Sequence, residues 1–143
     1  MLVAQILKTK GDMVFTVGPD ETLRGAAALL GARAVGAMVV MEAADRVAGI
    51  LSERDVARAV GEGGAAALDR SVSEVMTRDV IFADPGQSVD QLLSLMTDRR
   101  IRHLPVCRDH RLVGIVSIGD LVKVKIAEVE AEAADLKAYI SAG

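Results

Sequence analysis

At 143 residues the chain is long enough to bury a core of its own, as one compact unit or two very small ones. Its formal net charge of −3, with Phe15, Phe82 and Tyr139 as the only aromatic residues, argues against a nucleic-acid or anionic-membrane surface, because the long-range field is unfavourable and little is present to stack on bases. No apolar run approaches the roughly 18 residues of a membrane span, residues 1–10 lack the cleavage site of a secretory signal, and a single cysteine, Cys107, excludes an internal disulfide, so a reducing cytoplasm is the expected compartment.

Residues 1–7 place Leu2, Val3, Ile6 and Leu7 at helical spacing and predict a short helix docked on the body, followed by a polar turn over residues 8–12. Residues 14–17 read as a short strand closed by Gly18-Pro19-Asp20. Thr22 then caps a helix with Leu23, Ala26, Ala27 and Leu30 on one face. Residues 37–41 form the next strand, residues 42–46 a charged turn, and residues 47–52 a third strand ending at Ser52. A helix follows Asp55 and ends near Gly61, and residues 61–70 form a linker.

The same order then returns. Ser71 and Glu74 form the pattern of a capping box opening a short helix. Residues 80–83 predict a strand ended by Asp84-Pro85-Gly86. Ser88 and Gln91 make a second capping box, and Val89, Leu92, Leu93 and Met96 repeat the apolar face that begins at Leu23. Strands over residues 104–107 and 112–117 complete the copy. Pro85 lies 66 residues after Pro19, but Ser117 lies 65 after Ser52, so the first copy has one extra residue, assigned to its hairpin turn. Each copy reads strand, helix, strand, turn, strand, helix. A three-stranded sheet with helices on one face cannot cover its apolar surface alone, so the copies, residues 8–61 and 71–125, are expected to pack together with pseudo-two-fold symmetry.

Both copies converge on one pattern, G-h-h-S-x-x-D with h apolar: Gly49 to Ser52 and Asp55 in the first, Gly114 to Ser117 and Asp120 in the second. A buried strand here feeds a turn, and a helix begins at or just after the serine. Ser is a favoured N-cap, and an acid three residues later suits the positive end of the helix dipole. Capping therefore explains either copy alone; its recurrence inside a longer repeat points to a further role. The tail, residues 126–143, predicts an amphipathic helix. Val122, Ile126, Val129, Ala133, Leu136 and Ile140 form a heptad seam, which suits packing on the helix's own domain or pairing in a homodimer.

The paired repeats, with Val17-Gly18-Pro19 after the first strand, Leu104-Pro105-Val106, and G-h-h-S-x-x-D in both halves, resemble a tandem pair of cystathionine-β-synthase-type (CBS) domains over about residues 8–125. The resemblance implies a stand-alone bacterial-type Bateman module with an α/β (α+β) fold: two βαββα units packed sheet to sheet, two related clefts, and here a long C-terminal helix. Members commonly bind adenosine-containing ligands such as AMP, ADP, ATP, NAD(H) or S-adenosylmethionine and regulate an enzyme or transporter. On that basis Asp55 and Asp120 are the expected ribose clamps, since a carboxylate accepts from both hydroxyls of a diol. Ser52 and Ser117 stand where they can bond ribose or phosphate, and adenine is expected beside Val14 and Phe15 or Val80 and Ile81. Arg54 suits a phosphate and is replaced by Gly119 in the second copy. Arg99, Arg100, Arg102 and His103 are expected to converge on ligand phosphates, with a solvated basic helix end as the alternative for Arg99 and Arg100.

The functional expectation is a sensory module without chemistry of its own, signalling to an unidentified effector protein. The alternatives are a dimeric interaction adaptor with vestigial nucleotide clefts, or a nucleic-acid binder, which the acidity disfavours. His103 and His110 flank Cys107, but without a carboxylate at ligand spacing they make a poor zinc site. Cys107 reads as a buried or half-buried strand thiol rather than a nucleophile.

Overall fold

The structure, a computed structural model, describes residues 1–11 and 13–142. Helix α1 spans Val3–Lys10 and precedes the first repeat, which comprises β1 (Thr16–Val17), α2 (Leu23–Arg33), β2 (Ala37–Ala43), β3 (Arg46–Ser52) and α3 (Glu53–Gly63). A 3-10 helix, Gly64–Asp69, and α4, Val72–Val75, connect it to the second repeat. That repeat holds α5 (Val89–Arg99), β4 (His103–Arg108), β5 (Arg111–Ser117) and α6 (Ile118–Ala142).

Local chemistry sets the helices. The Thr22 hydroxyl accepts from Gly25 N at 3.1 Å and opens α2, whose Leu23, Ala26 and Leu30 are buried. Ser88 and Gln91 close the predicted box at the start of α5, and Val89, Leu92 and Met96 face the core. Both helices stop on a left-handed residue, Ala34 and Arg100, each with φ 53°. Helix α1 runs past its predicted end to Lys10, because lysines in the last turn suit the helix dipole and Gly11, at φ 99°, caps it. Of the polar turn expected there, Asp12 lies outside the described residues. Helix α3 starts directly after Ser52 and continues two residues beyond Gly61, and the linker contains a 3-10 helix with Ala67 buried. The box predicted at Ser71 does not form: Ser71 Oγ bonds Ser73 Oγ at 3.0 Å, and Glu74 pairs instead with Arg70 at 3.0 Å.

In the first sheet β1 runs parallel to β2, and β2 pairs antiparallel with β3. The second repeat keeps the β4–β5 hairpin, but the strand predicted over residues 80–83 survives only as a single parallel bridge from Ala83 to Val106. The reason is Pro105. Its register partner is Ile115, as that of Val39 is Ile50 in the first repeat. Val39 N donates to Phe15 O at 3.3 Å, whereas proline has no N–H with which to make the matching bond. The extra residue of the first copy also sits elsewhere than predicted. Residues 44–45 and 109–110 make equally short turns, and the register of β2 slips a second time between Met41 and Ala43, which leaves Glu42 as the extra residue in a β-bulge.

Each repeat is closed by the helix that leads into the other. Val3, Ile6 and Leu7 of α1 are buried with Leu92, Met96, Leu104 and Leu121 of the second repeat. Val72 and Met76, from α4 and its end, are buried with Leu23, Met38 and Leu51 of the first. The backbone bonds repeat as well: Val3 N to Gln87 O (2.9 Å) and Ala4 N to Pro85 O (3.0 Å) match Val72 N to Glu21 O (2.8 Å) and Ser73 N to Pro19 O (3.0 Å). These crossed segments pass close over the sheets. A Cβ on Gly49 would lie 2.6 Å from the Thr77 carbonyl oxygen, and one on Gly114 would lie 2.6 Å from Leu7 Cδ2. The first obstacle is backbone, itself paired with Ile50 through Ile50 N to Thr77 O (3.0 Å), while the second is the end of a flexible side chain. Gly49→Ala is therefore expected to destabilise the protein by about 2 kcal/mol and Gly114→Ala by distinctly less, as read from urea unfolding midpoints.

Candidate functional site

The two strand-to-helix corners are built alike. Ser52 N donates to Asp55 Oδ2 at 2.9 Å and Asp55 N donates to Ser52 Oγ at 3.2 Å. In the second copy Ser117 N donates to Asp120 Oδ2 at 2.9 Å and Asp120 N to Ser117 Oγ at 3.1 Å. Both acids thus close reciprocal capping boxes. The cap uses one carboxylate oxygen, Oδ2, and is compatible with a ligand on the other.

The first corner forms one wall of a cleft of about 260 Å³ between the repeats. Ser52, Arg54 and Asp55 line it from the first repeat, and Arg100, Arg102 and His103 line it from the second, so six of the residues singled out in the sequence meet here, whereas Arg99 does not line it. Glu53 and Arg58 join them, with Ile50, Thr77 and Ile101 supplying less polar wall. Arg58 was legible in the sequence, since it follows Arg54 by four residues and shares its helix face. Thr77 and Ile101 carried no such signal: they arrive through the chain crossing and the left-handed turn at Arg100. Val14 and Phe15 precede β1 and do not line this cleft; Phe15 packs on the first core with the Arg33 guanidinium 4.4 Å from its ring centroid. Val80 and Ile81 are half-buried beside the second repeat, Ile81 against its core.

The second corner is occupied by the protein itself. Lys10, at the end of α1, donates from Nζ to Asp120 Oδ2 at 2.5 Å and to Ile115 O at 2.8 Å. Burial by itself would raise the Asp120 carboxyl, but the Lys10 ammonium and the hydrogen bonds from Ser117 outweigh it and hold the group below its usual value. Position 119 is glycine where the first copy has Arg54, so the cation at this corner comes from another element.

His103 lies where the two halves meet. A Cβ on Gly36 would come within 3.1 Å of His103 Nε2 and 3.5 Å of Glu53 Oε1, so the glycine is what leaves room for the imidazole. Burial lowers the His103 pKa; Glu53 and Asp120 oppose the shift, and Lys10 and Arg102 add to it. Cys107 is half-buried on β4, and burial raises its thiol.

Comparison with known proteins bears out the family. The sequence profile of the CBS domain matches residues 5–62 and 72–127, and the chain belongs to the CBS-domain family, as a tandem pair. It is 34% identical over 149 residues to the mitochondrial CBS domain-containing protein CBSX3 of Arabidopsis thaliana, covering 99% of this chain and 72% of the relative. Among solved structures, the CBS-domain protein ATU1752 from Agrobacterium tumefaciens superposes with a TM-score of 0.85 at 46% identity, over 87% of this chain and 99% of that one. The CBS domain pair of protein MJ0100, solved in complex with 5′-methylthioadenosine and S-adenosyl-L-methionine, gives 0.80 at 26% identity, over 90% and 98%. No helix among the described residues is long and apolar enough to cross a membrane.

The lowered pKa of His103 makes stability depend on pH. Its contribution is intact above the ordinary value of 6.5 and is lost as pH falls through the lower folded value, because the unfolded chain then binds the proton more readily. The urea midpoint is expected to fall between pH 7 and pH 5, and His103→Gln is expected to flatten part of that slope.

Proposed function

We propose that the chain is a regulatory module that binds an adenosine-containing nucleotide, of the AMP, ATP or NAD(H) type, in the first cleft and signals occupancy to a partner protein, without chemistry of its own. The observation that carries this reading is the composition of the cleft. Of the two carboxylates that line it, Glu53 and Asp55, the capped Asp55 suits the vicinal hydroxyls of a ribose, and Arg54, Arg58, Arg100 and Arg102 surround the same space with guanidinium groups suited to phosphate. Ser52 and the start of α3 add donors at a helix N-terminus. The adenosine-type ligands held by the CBS pair of MJ0100 support the ligand class. A vestigial cleft on an adaptor has no need of four arginines converging from two repeats, and the net charge of −3 weighs against nucleic acid.

The second corner differs in kind. There the Lys10 ammonium shares Asp120 Oδ2 with the cap and competes with a ribose for the carboxylate, so in this reading the first cleft fills first and Lys10 sets the threshold for the second. Occupation of the second cleft then shifts the end of α1, whose root is buried in the second core. That movement is a route by which binding reaches the surface.

Calorimetric titration with AMP, ATP and NADH tests the assignment. Asp55→Asn keeps an acceptor for Ser52 N but removes the charge, and is expected to weaken the tighter site about tenfold or more. Lys10→Met is expected to leave that site unchanged and to strengthen the weaker one. An unaltered first site in Asp55→Asn removes the ribose role, and stabilisation by an oligonucleotide but by none of the three nucleotides removes the whole reading.

A further inference from the structure

Beyond Val129, α6 leaves the body of the protein: residues 130–142 are all exposed, about 20 Å of helix at 1.5 Å per residue. Its large apolar side chains are not scattered. Ile126, Val129, Leu136 and Ile140 are 53%, 53%, 60% and 67% exposed, and with Ala133 they alternate three and four residues apart along one stripe. A lone helix of this length is marginal in water, and its stability has to come from what packs on its apolar face.

We propose that this stripe pairs with its counterpart on a second copy of the chain, as a parallel, in-register, two-stranded coiled coil. The charges beside the stripe choose both the occupant and its direction. With Ile126, Ala133 and Ile140 at the a positions and Val129 and Leu136 at d, Lys125 and Glu132 fall at g, and Glu130 and Lys137 at e. In a parallel pair each g residue faces the e residue five positions on in the other helix. Lys125 then meets Glu130 of the second copy and Glu132 meets its Lys137, opposite signs both times, and the symmetry repeats each pair. An antiparallel pair sets e against e and g against g. Centred at residue 131, where Ile126 layers on Leu136 and Val129 on Ala133, it opposes Glu130 to Glu130 and Glu132 to Glu132. Isoleucine at two a positions with leucine at one d position also suits two strands.

The body leaves room for this arrangement on the distal turns. Lys125 lies against Asp90 at 2.9 Å and is 43% exposed, so it reaches a second copy by exchanging one exposed carboxylate for another. Glu132 and Lys137 lie wholly on the projecting part. The proposal does not depend on the nucleotide reading, since none of its residues lines the cleft.

Sedimentation velocity on the full chain, over a concentration series without nucleotide, tests it. A species of twice 15.0 kDa is expected to grow with concentration. Leu136→Glu is expected to abolish it while leaving the thermal unfolding of the body in place, as the residue is 60% exposed. Glu132→Lys is expected to weaken association about tenfold, and combining it with Lys137→Glu is expected to restore it. Direction is read from Ile140→Cys in a Cys107→Ser background: a parallel pair brings the two thiols together for oxidation, whereas an antiparallel pair sets them about 27 Å apart on the 1.5 Å rise. A chain that stays at 15.0 kDa throughout overturns the proposal and leaves the stripe to a different protein, as does a dimer that survives Leu136→Glu. A dimer that Leu136→Glu dissociates, but whose Ile140→Cys form does not cross-link, overturns the parallel direction.

Discussion

The organisation of the molecule depends on two places where a crossed segment lies close over a sheet, at Gly49 and Gly114. Through them the helix entering each repeat is laid across the other repeat, with Leu7 over Gly114 and the Met76–Thr77 corner over Gly49. The glycine of G-h-h-S-x-x-D therefore has a packing reason independent of any ligand: a side chain there would hold the crossed segment away from the strand. Because each half completes the core of its neighbour, neither half buries its apolar surface alone. The space left between the two sheets by this crossing becomes the cleft.

The serine and aspartate of the same motif act one step further along the chain. They form reciprocal caps at both corners, with nearly identical distances. A cap of this kind fixes the carboxylate at the mouth of the cleft and turns the first backbone N–H groups of the helix toward it, so stability and recognition draw on the same atoms. The two corners diverge in their neighbours. Arg54, Arg58, Arg100 and Arg102 gather around Asp55, while Asp120 is held by Lys10.

Much of the architecture was legible from residue order. The repeat, the apolar faces beginning at Leu23 and Val89, the caps at Thr22 and Ser88 and the hairpins all depend on neighbours within a few residues. The departures share a different origin. A first strand of the second repeat reads well from residues 80–83, but its ladder needs a donor from a distant strand, and that position is Pro105. Ser71 and Glu74 have the spacing of a capping box, yet Arg70 competes for the glutamate. The extra residue of the first repeat could be counted from the sequence, but its place in a bulge at Glu42 was fixed by strand register rather than by the turn.

The candidate site divides in the same way. The sequence by itself determined the two halves, the twin caps, the basic character of residues 99–103 and the heptad stripe of the tail, since each is a pattern of spacing or repetition along one segment. Only the tertiary structure decided that Arg102 and His103 of one repeat meet Ser52 and Asp55 of the other, that Thr77 lines the same cleft, and that Lys10 pairs with Asp120. Those contacts join residues far apart in the chain through the crossing at Gly49 and Gly114, and such a crossing leaves no periodicity in either segment. The inequality that Arg54 against Gly119 already announced in the sequence is thereby widened, because Arg100 and Arg102 reach the first corner from the second repeat and Lys10 reaches the second corner from α1.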